Sequence, residues 1–150
     1  MREVIETFDG ENRFLSNFYP SEISIGGIVY PSVEHYFQAS KANSIEEHFH
    51  ISSLTNPHDA KAAGRAIDLR PDWEEIKFGV MLTGVTLKFF QNPWLKTKLV
   101  ATGDARLVEG NTWGDQIWGA TWDPKRKTWV GENHLGEILM DVRELITEWR

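Results

Sequence analysis

The positions of proline constrain the fold of this chain more than any other feature of its sequence. Four of its six prolines stand where a helix can begin, because the ring holds φ near the helical value and the first turn needs no donor there. They predict helices over about 32–43, from Asn56-Pro57 to Ile67, from Pro71-Asp72 to about Gln91, and from Pro93 to a stop at Gly103.

A last helix is indicated by apolar spacing rather than by proline. Its apolar residues recur at i, i+3, i+4 and i+7 and predict one buried face: Leu135, Ile138, Leu139, Val142, Leu145, Ile146 and Trp149. Between the helices, Gly26-Gly27 separates two short β-rich runs, which is the signal of a hairpin with a two-residue turn.

Further short strands are expected at 4–8 and 105–109. The stretch 110–133 has no clear period apart from a possible hairpin around 123–125, and a segment of that length is more often a functional loop than idle chain. We therefore predict an α+β fold, a helix-rich single domain over residues 1–150 with a small sheet.

Composition narrows the function classes. The net charge is −6, which argues against broad binding of polyanions, and the absence of cysteine excludes disulfides and thiolate metal sites. The acidic start of the chain and the lack of a long apolar run lead us to expect a cytoplasmic protein without a membrane partner. Seven tryptophans, four of them between positions 113 and 129, suit stacking on a base.

Metal and cofactor motifs are missing from the sequence. The five histidines lack the HExxH spacing, and there is neither a P-loop nor a GxGxxG after a strand. We therefore expect no metal and no cofactor.

A polar stripe follows one side of the first predicted helix. Glu34, Gln38 and Lys41 are spaced at i, i+4 and i+7 and share a face. Such a stripe is commonly a solvated surface with weak side-chain pairs. The alternative is the polar wall of a cleft, with Glu34 as a catalytic carboxylate.

Two basic residues have similar alternatives. Lys77 falls on the apolar face predicted for the third of these helices, which is formed by Trp73, Ile76, Val80, Gly84 and Leu87. Its amine either reaches the solvent edge or, in a dry cleft, has a lowered pKa and forms a Schiff base with an opened sugar. Arg65 is either a surface residue or a fork for a pyrophosphate or a carboxylate.

The long loop offers an acid beside an aromatic ring. Asp115 and Trp118 follow each other closely between glycines. Aspartate in a loop most often forms a turn, and a catalytic role is the alternative.

An ordered set of motifs resembles the NADAR family, also called YbiA-like. The matches run from about 14 to 143 and are Phe14–Pro20, Tyr30–Lys41, Gly64-Arg65, Arg70–Trp73 with Lys77 and Met81, Lys88-Phe89, Asn92-Pro93, Leu107–Glu109, Asp115 with Trp118-Gly119, Gly131–Gly136, Leu139-Met140 and Arg143. The segment 120–130 does not resemble the family pattern, which leaves the substrate choice open because loops set specificity.

The resemblance implies an N-glycosidase. Family members hydrolyse phosphoribosylamino intermediates of riboflavin synthesis, and others remove ADP-ribose from guanine in nucleic acid. The resemblance places the family's glutamate on Glu34, with Lys41 and Lys77 both at family positions and Asp115 as the loop acid. It implies substrate binding by the matched residues Asn17, Gln38, Arg65, Trp73, Trp118 and Asn133.

Three readings follow for the partner of this chain. The first is removal of ADP-ribose from a modified guanine in nucleic acid. The second is cleavage of a nucleotide-like small molecule of the phosphoribosylamino type. The third is a noncatalytic module that binds NAD or ADP-ribose, which would keep the tryptophans and Arg65 but need neither Glu34 nor Lys77. A structural accessory role has only the small size in its favour, and no oligomeric state follows from the sequence.

Overall fold

The computed structural model describes residues 2–149, which form two compact units. One unit is Asn17–Pro93, and the other combines the chain up to Ser16 with the chain from Trp94 onward. Helices and short strands occur together, so the predicted α+β class is confirmed. The single domain over 1–150 stays a prediction.

The elements follow one another in a simple order. They are β1 (Val4–Ile5), a 3-10 helix (Gly10–Leu15), β2 (Ile23–Ile25), β3 (Ile28–Tyr30), α1 (Val33–Ala39), α2 (Ile45–Ser52), α3 (Pro57–Ala66), α4 (Trp73–Gln91), α5 (Pro93–Ala101), β4 (Arg106–Leu107), β5 (Thr121–Asp123), β6 (Thr128–Val130) and α6 (His134–Glu148). The strands described within residues 2–149 form three separate two-stranded pairs, β1–β4, β2–β3 and β5–β6, in place of the one small sheet that was expected.

In the unit Asn17–Pro93, α1 packs against α2, α3 and α4. Its first turn is capped by Ser32, whose side chain accepts a hydrogen bond from the backbone N–H of His35. Pro31 therefore precedes the cap, and the prediction that it lies in the first turn is wrong by two positions.

Helix α2 was not predicted. It begins after Ser44, whose hydroxyl accepts a hydrogen bond from the N–H of Glu47. The pair Ser44 and Glu47 has the S-x-x-E spacing of a capping box, which is a start signal that does not depend on proline.

The buried face of α4 differs from the predicted one. Trp73 and Gly84 are buried as expected, but Ile76, Val80 and Leu87 are only half-buried. The remaining buried positions are Met81, Val85, Lys88 and Phe89. The face is set by the approach of α1: a Cβ at Gly84 would lie 2.9 Å from the ring of Tyr36, so the two helices are closest there.

In the other unit, β1 pairs in parallel with β4, and α6 packs against β4. Most of the predicted face of α6 is buried or half-buried. Leu145 and Trp149 are exposed, so that prediction is wrong for these two residues, although Ile146 beside them is buried.

No helix described within residues 2–149 has both the length and the apolar character needed to cross a bilayer. Nor do the described residues contain a group of three or more His, Asp or Glu side chains arranged to hold a metal ion.

Candidate active site

Two of the three residues of the predicted polar stripe are buried. Glu34 and Gln38 on α1 are 6% and 4% exposed, so the interpretation as a solvated surface is wrong for them. Lys41 lies after the end of α1 and is half-buried. The side-chain amide of Gln38 donates a 2.7 Å hydrogen bond to Oε1 of Glu34. This bond fixes the direction of a carboxylate that burial would otherwise penalise.

Asn17 holds the beginning of α1. Its backbone carbonyl accepts a 3.1 Å hydrogen bond from the N–H of Glu34. Its side-chain nitrogen lies 3.3 Å from the sulfur of Met81 on α4. Asn17 is itself buried, so it positions Glu34 through the backbone; its predicted contact with substrate stays a prediction.

Gln38 is oriented by the close approach of α3. A Cβ at Gly64 would lie 1.9 Å from Oε1 of Gln38, so only glycine leaves room for the amide in this position. The oxygen Oε1 is buried and meets no hydrogen-bond donor among the described residues. A hydroxyl of a bound sugar is a group that would satisfy it.

Lys41 lies over two aromatic rings. Its Nζ is 5.4 Å from the ring centroid of Phe37 and 5.9 Å from that of Trp73. Burial lowers the pKa of Lys41 from its ordinary value, the positive charges of Arg65 and Lys61 lower it further, and the charge of Glu34 raises it. Lys41 is therefore an amine with an increased neutral fraction that interacts electrostatically with the buried acid.

Lys77 has different neighbours. Its amine forms an ion pair with Oε2 of Glu74, at 2.5 Å, and the carboxylate of Glu74 is largely exposed. It also lies 5.3 Å from the ring centroid of Phe78. The charged end of Lys77 is thus directed to an exposed acid, which agrees with the alternative in which it reaches the solvent edge.

The indole ring of Trp73 packs under the amine of Lys41. It is 5% exposed, and its ring meets that of Phe37 edge-on with the centroids 5.1 Å apart. Because so little of the indole is exposed, its role here is packing and a contact with the Lys41 cation. Stacking of Trp73 on a base stays a prediction.

Arg65 is exposed on α3. Its charge acts on Lys41, so the guanidinium lies within electrostatic reach of that amine. An exposed guanidinium suits an anionic part of a ligand, such as a phosphate.

Asp115 belongs to the other unit, where its carboxylate stabilises a turn of the backbone. Oδ1 accepts hydrogen bonds from the backbone N–H groups of Ile117 and Trp118, at 3.0 and 2.9 Å. These bonds agree with the alternative in which Asp115 stabilises a turn, although Oδ2 is not part of them. Trp118 is half-buried, and its ring lies edge-on to His134 with 6.1 Å between the centroids. Their catalytic and binding roles stay predictions.

Asn133 is held firmly in place in the same unit. Its side-chain nitrogen donates to the carbonyl of Leu107 at 2.9 Å, and its Oδ1 accepts from the N–H of Glu109 at 3.0 Å. Its φ of 52° is left-handed, a conformation that asparagine tolerates. Both polar ends of this side chain hold the start of α6, and substrate binding by Asn133 stays a prediction.

Two contributors to the site were not predicted. Phe37 was not among the predicted site residues, although its i, i+4 spacing to Lys41 indicates a contact between them. Lys61 precedes Arg65 by one turn of α3 and adds a second positive charge near Lys41. The same spacing rule on α3 would have identified it.

A cavity of about 680 Å³ also lies in the unit Asn17–Pro93. It is lined by residues of α2 and of the segment before α4, among them His48, Phe49 and Arg70. None of the predicted site residues lines it. The chemistry of the Glu34 and Lys41 neighbourhood, rather than cavity size, therefore identifies the candidate site.

Comparison with known proteins places these residues in a family context. Residues 6–147 match the model of the NADAR domain. The chain is 37% identical to the N-glycosidase YbiA of Escherichia coli (strain K12) over 131 residues, covering 86% of this chain and 78% of that protein. It is 38% identical to an N-glycosidase of Nostoc punctiforme over 136 residues, covering 87% and 83%.

A third relative is a riboflavin biosynthesis protein of Vibrio vulnificus, 37% identical over 142 residues. That match covers 93% of this chain but only 37% of the relative, so the chain corresponds to a minor part of that protein. The NMR structure of E. coli YbiA superimposes with a TM-score of 0.83 at 32% identity, covering 99% of this chain and 88% of that one. The resemblance to this family is confirmed, and the predicted enzyme class, an N-glycosidase, is confirmed by the names of these relatives.

Proposed function

The chain belongs to the NADAR family, and from this premise we propose that it hydrolyses the N-glycosidic bond between ADP-ribose and a modified guanine. The single observation that carries the proposal is the neighbourhood of Glu34, where a buried carboxylate interacts with the Lys41 amine. A helix-borne acid and an amine of lowered pKa are two groups that together can cleave a glycosidic C–N bond through a covalent intermediate.

Glu34 has the electrostatic role in this mechanism. Departure of the base builds positive charge on the anomeric carbon, and a carboxylate in a water-poor site stabilises that charge. The hydrogen bond from Gln38 keeps the carboxylate oriented while the charge develops. Little reorganisation is then needed at the moment of reaction.

Lys41 has the covalent role. Its neutral amine attacks the anomeric carbon, the bond from that carbon to the guanine nitrogen breaks, and the base leaves with a proton. The ribose ring then opens: its ring oxygen takes up the second proton of the Lys41 nitrogen, and a C=N bond forms between the former anomeric carbon and that nitrogen. Water then adds to the imine, and its hydrolysis returns ADP-ribose and the free amine.

Lys41 supports this role better than Lys77. The charge of Glu34 acts on Lys41, and burial lowers the pKa of that amine. The amine of Lys77 instead forms an ion pair with Glu74, which ties it to an exposed carboxylate. We therefore assign the imine to Lys41.

The pyrophosphate of the ADP part carries negative charges that can pair with the basic residues of α3. Arg65 is exposed, and its guanidinium is suited to a pyrophosphate in bidentate geometry. Lys61 adds a second positive charge to the same helix. An ADP-ribosyl substrate, with two phosphates, uses both charges, whereas a phosphoribosyl substrate has only one phosphate to offer them.

A second candidate is cleavage of a phosphoribosylamino metabolite. The observation in its favour is the name of the V. vulnificus relative, a riboflavin biosynthesis protein that this chain matches over 37% of its length. The same acid and amine would serve both substrates. The noncatalytic module is the weaker alternative, because the relatives from E. coli and N. punctiforme are named N-glycosidases.

A substrate panel tests the proposal. Purified protein is incubated with ADP-ribosyl-guanosine, a guanine-ADP-ribosylated oligonucleotide, NAD and a phosphoribosylamino pyrimidine. Liquid chromatography measures the sugar product, which is ADP-ribose or ribose phosphate, together with the freed guanosine, oligonucleotide, nicotinamide or pyrimidine. We expect the highest kcat/KM for the ADP-ribosylated guanine substrates. Preferential cleavage of the phosphoribosylamino pyrimidine would replace the proposal by its second candidate, and no cleavage of any substrate would refute both.

A further inference from the structure

The hairpin of β5 and β6 lies in the segment 120–130, in which no family motif was found in the sequence. It contains two tryptophans on adjacent strands and a turn of four residues, 124–127, between them. Neither the family resemblance nor the acid–amine mechanism assigns a role to this segment. Its composition is unusual for a chain with a net charge of −6.

The two tryptophans form an aromatic pair across the hairpin. Trp122 is directly opposite Trp129 in the strand register, and their rings meet edge-on with 5.3 Å between the centroids. Trp122 is 47% exposed, whereas Trp129 is half-buried. Trp129 therefore supports the indole of Trp122, which offers its own surface to a ligand.

A cavity of about 420 Å³ lies beside this pair. Its lining includes Trp122, Trp129, Lys127 and Arg106, with Glu6 as a single acid among the residues that line it. The indole N–H of Trp129 is buried and meets no acceptor within the described part of the chain. A base edge or a phosphate oxygen would provide that acceptor.

Positive charge is concentrated in the turn of the hairpin. Lys125, Arg126 and Lys127 are consecutive and exposed, so three of the 16 basic residues stand side by side. Oδ1 of Asp123 accepts hydrogen bonds from the N–H groups of Lys125 and Arg126, at 2.9 and 3.2 Å, and thereby orders the turn. Asp123 also forms an ion pair with Arg126 at 3.8 Å, which leaves the two lysines as the charges most open to an anion.

We propose that this hairpin binds single-stranded nucleic acid, with a base stacked on Trp122 and the backbone phosphates at Lys125 and Lys127. Exposed aromatic rings beside a basic strip are the combination by which proteins hold single strands. The charge of the turn is complementary to a polyanion, although the chain as a whole is acidic. A small nucleotide would use the ring but not the extended row of positive charges.

The inference rests on the proposed function in one respect: it makes nucleic acid, rather than a free nucleotide, the carrier of the modified guanine. Binding of a strand is measurable without turnover. The two ideas therefore fail separately.

Binding is measured by fluorescence anisotropy with a labelled, unmodified DNA strand of about 12 nucleotides. The charge variant combines Lys125→Gln with Lys127→Asn. Lys127 has a left-handed φ of 53°, which asparagine adopts more readily than lysine, so this variant keeps the turn. The aromatic variant is Trp122→Thr, because threonine favours an exposed strand.

Two matched controls lie outside the hairpin. Lys96→Gln with Lys98→Gln removes two positive charges from α5. Trp149→Thr removes an indole that is 78% exposed after the end of α6. Circular dichroism and melting temperatures check that all four variants are folded.

We expect the charge variant to weaken binding by at least about 10-fold at low salt and to reduce the slope of log K against log salt by about 1.4, or 0.7 for each lost phosphate contact. Trp122→Thr is expected to weaken binding by about 5- to 150-fold with an unchanged salt slope, as for loss of one stacked base. The controls are expected to bind within about twofold of the wild type.

Three results overturn the inference. The wild type does not bind the strand, the control variants lose as much affinity as the hairpin variants, or the wild type binds duplex DNA of the same length more tightly than the single strand. Turnover separates the two proposals. Hairpin variants should retain kcat/KM for ADP-ribosyl-guanosine and lose it for the modified oligonucleotide. If the wild type binds strands but cleaves neither substrate, the proposed function fails and the binding surface stands.

Discussion

The side-chain amide of Gln38 donates a 2.7 Å hydrogen bond to Oε1 of Glu34, one turn earlier on α1. Both residues are buried, so the bond fixes the carboxylate at a position with little access to bulk water. Gly64 makes this arrangement possible because it lets α3 come close to the amide. A contact between two helices thus determines the direction of the proposed catalytic acid.

Replacing the acid itself tests its role. Glu34→Gln keeps the size of the side chain and can still form a hydrogen bond with Gln38, so we expect the protein to fold normally. It loses the negative charge that stabilises the sugar cation, and kcat should fall at least about 100-fold. The measurement is release of ADP-ribose from ADP-ribosyl-guanosine at saturating substrate, with the melting temperature as the control. Wild-type turnover in this variant would remove Glu34 from catalysis.

The lysine that forms the imine can be identified by borohydride trapping with ADP-ribosyl-guanosine. Mass spectrometry of wild-type protein should show an adduct on Lys41, because its amine has a lowered pKa and interacts with Glu34. Lys41→Arg should abolish both the adduct and turnover. Lys77→Arg is the matched control on α4; it should retain the adduct, since the ion pair with Glu74 can form with arginine as well.

An adduct that maps to Lys77 and survives Lys41→Arg would reverse the assignment. If no adduct forms in wild-type protein that turns over the substrate, direct hydrolysis by water replaces the imine route.

The pH dependence of turnover should respond to Arg65. The guanidinium lowers the pKa of Lys41, because a nearby positive charge disfavours protonation of the amine. Arg65→Gln removes that effect, so the pKa of Lys41 rises and the neutral amine appears at higher pH. The midpoint of the rising limb of kcat against pH should therefore shift to higher pH. Asp59→Asn, on the same helix, is the control and should leave the midpoint in place; an unshifted midpoint in Arg65→Gln would contradict the assignment of that limb to Lys41.

Two glycines provide a matched test of the contact between α1 and α3. Gly64→Ala places a Cβ 1.9 Å from Oε1 of Gln38, so we expect destabilisation by about 1–3 kcal/mol and a loss of activity as the amide is displaced. Gly79→Ala, in the middle of α4, meets nothing within 4 Å. It should stabilise the protein by about 0.5–1 kcal/mol through its higher helix propensity. Chemical unfolding measures both changes, and a neutral Gly64→Ala would show that the approach of α3 is looser than described.

Much of the fold could be predicted from local signals. Caps and prolines have local causes, so the starts of α3, α4 and α5 agree with the prediction within one or two residues. Helix α2 was missed because its start depends on a capping box rather than on proline. The buried face of α4 was misjudged because the partner helix, and not the hydrophobic periodicity alone, decides which side is covered.

The candidate site shows the same division. The spacing of Glu34 and Gln38 correctly placed them on one side of α1, whereas Lys41 follows the end of the helix at Ala39. Periodicity does not tell whether that side faces water or another helix. The polar side of α1 is buried because α3 packs against it at Gly64, which is a tertiary contact. For Asp115, by contrast, a local turn explains the observed hydrogen bonds.

A last prediction concerns Lys88, which is fully buried on α4 and 5.9 Å from the ring centroid of Tyr19. Burial lowers its pKa from 10.5 to about 7. Between these two pH values the unfolded chain binds a proton at Lys88 that the folded protein does not. The free energy of unfolding therefore rises with pH, by at most about 1.4 kcal/mol per pH unit. The full destabilisation by the buried amine applies below its pKa in the folded protein. Lys88→Met keeps the length and removes the charge; it should raise the melting temperature more at pH 6.5 than at pH 9.5. Lys96→Met on α5 is the control, and equal shifts at both pH values in Lys88→Met would mean that the amine stays protonated in the folded protein.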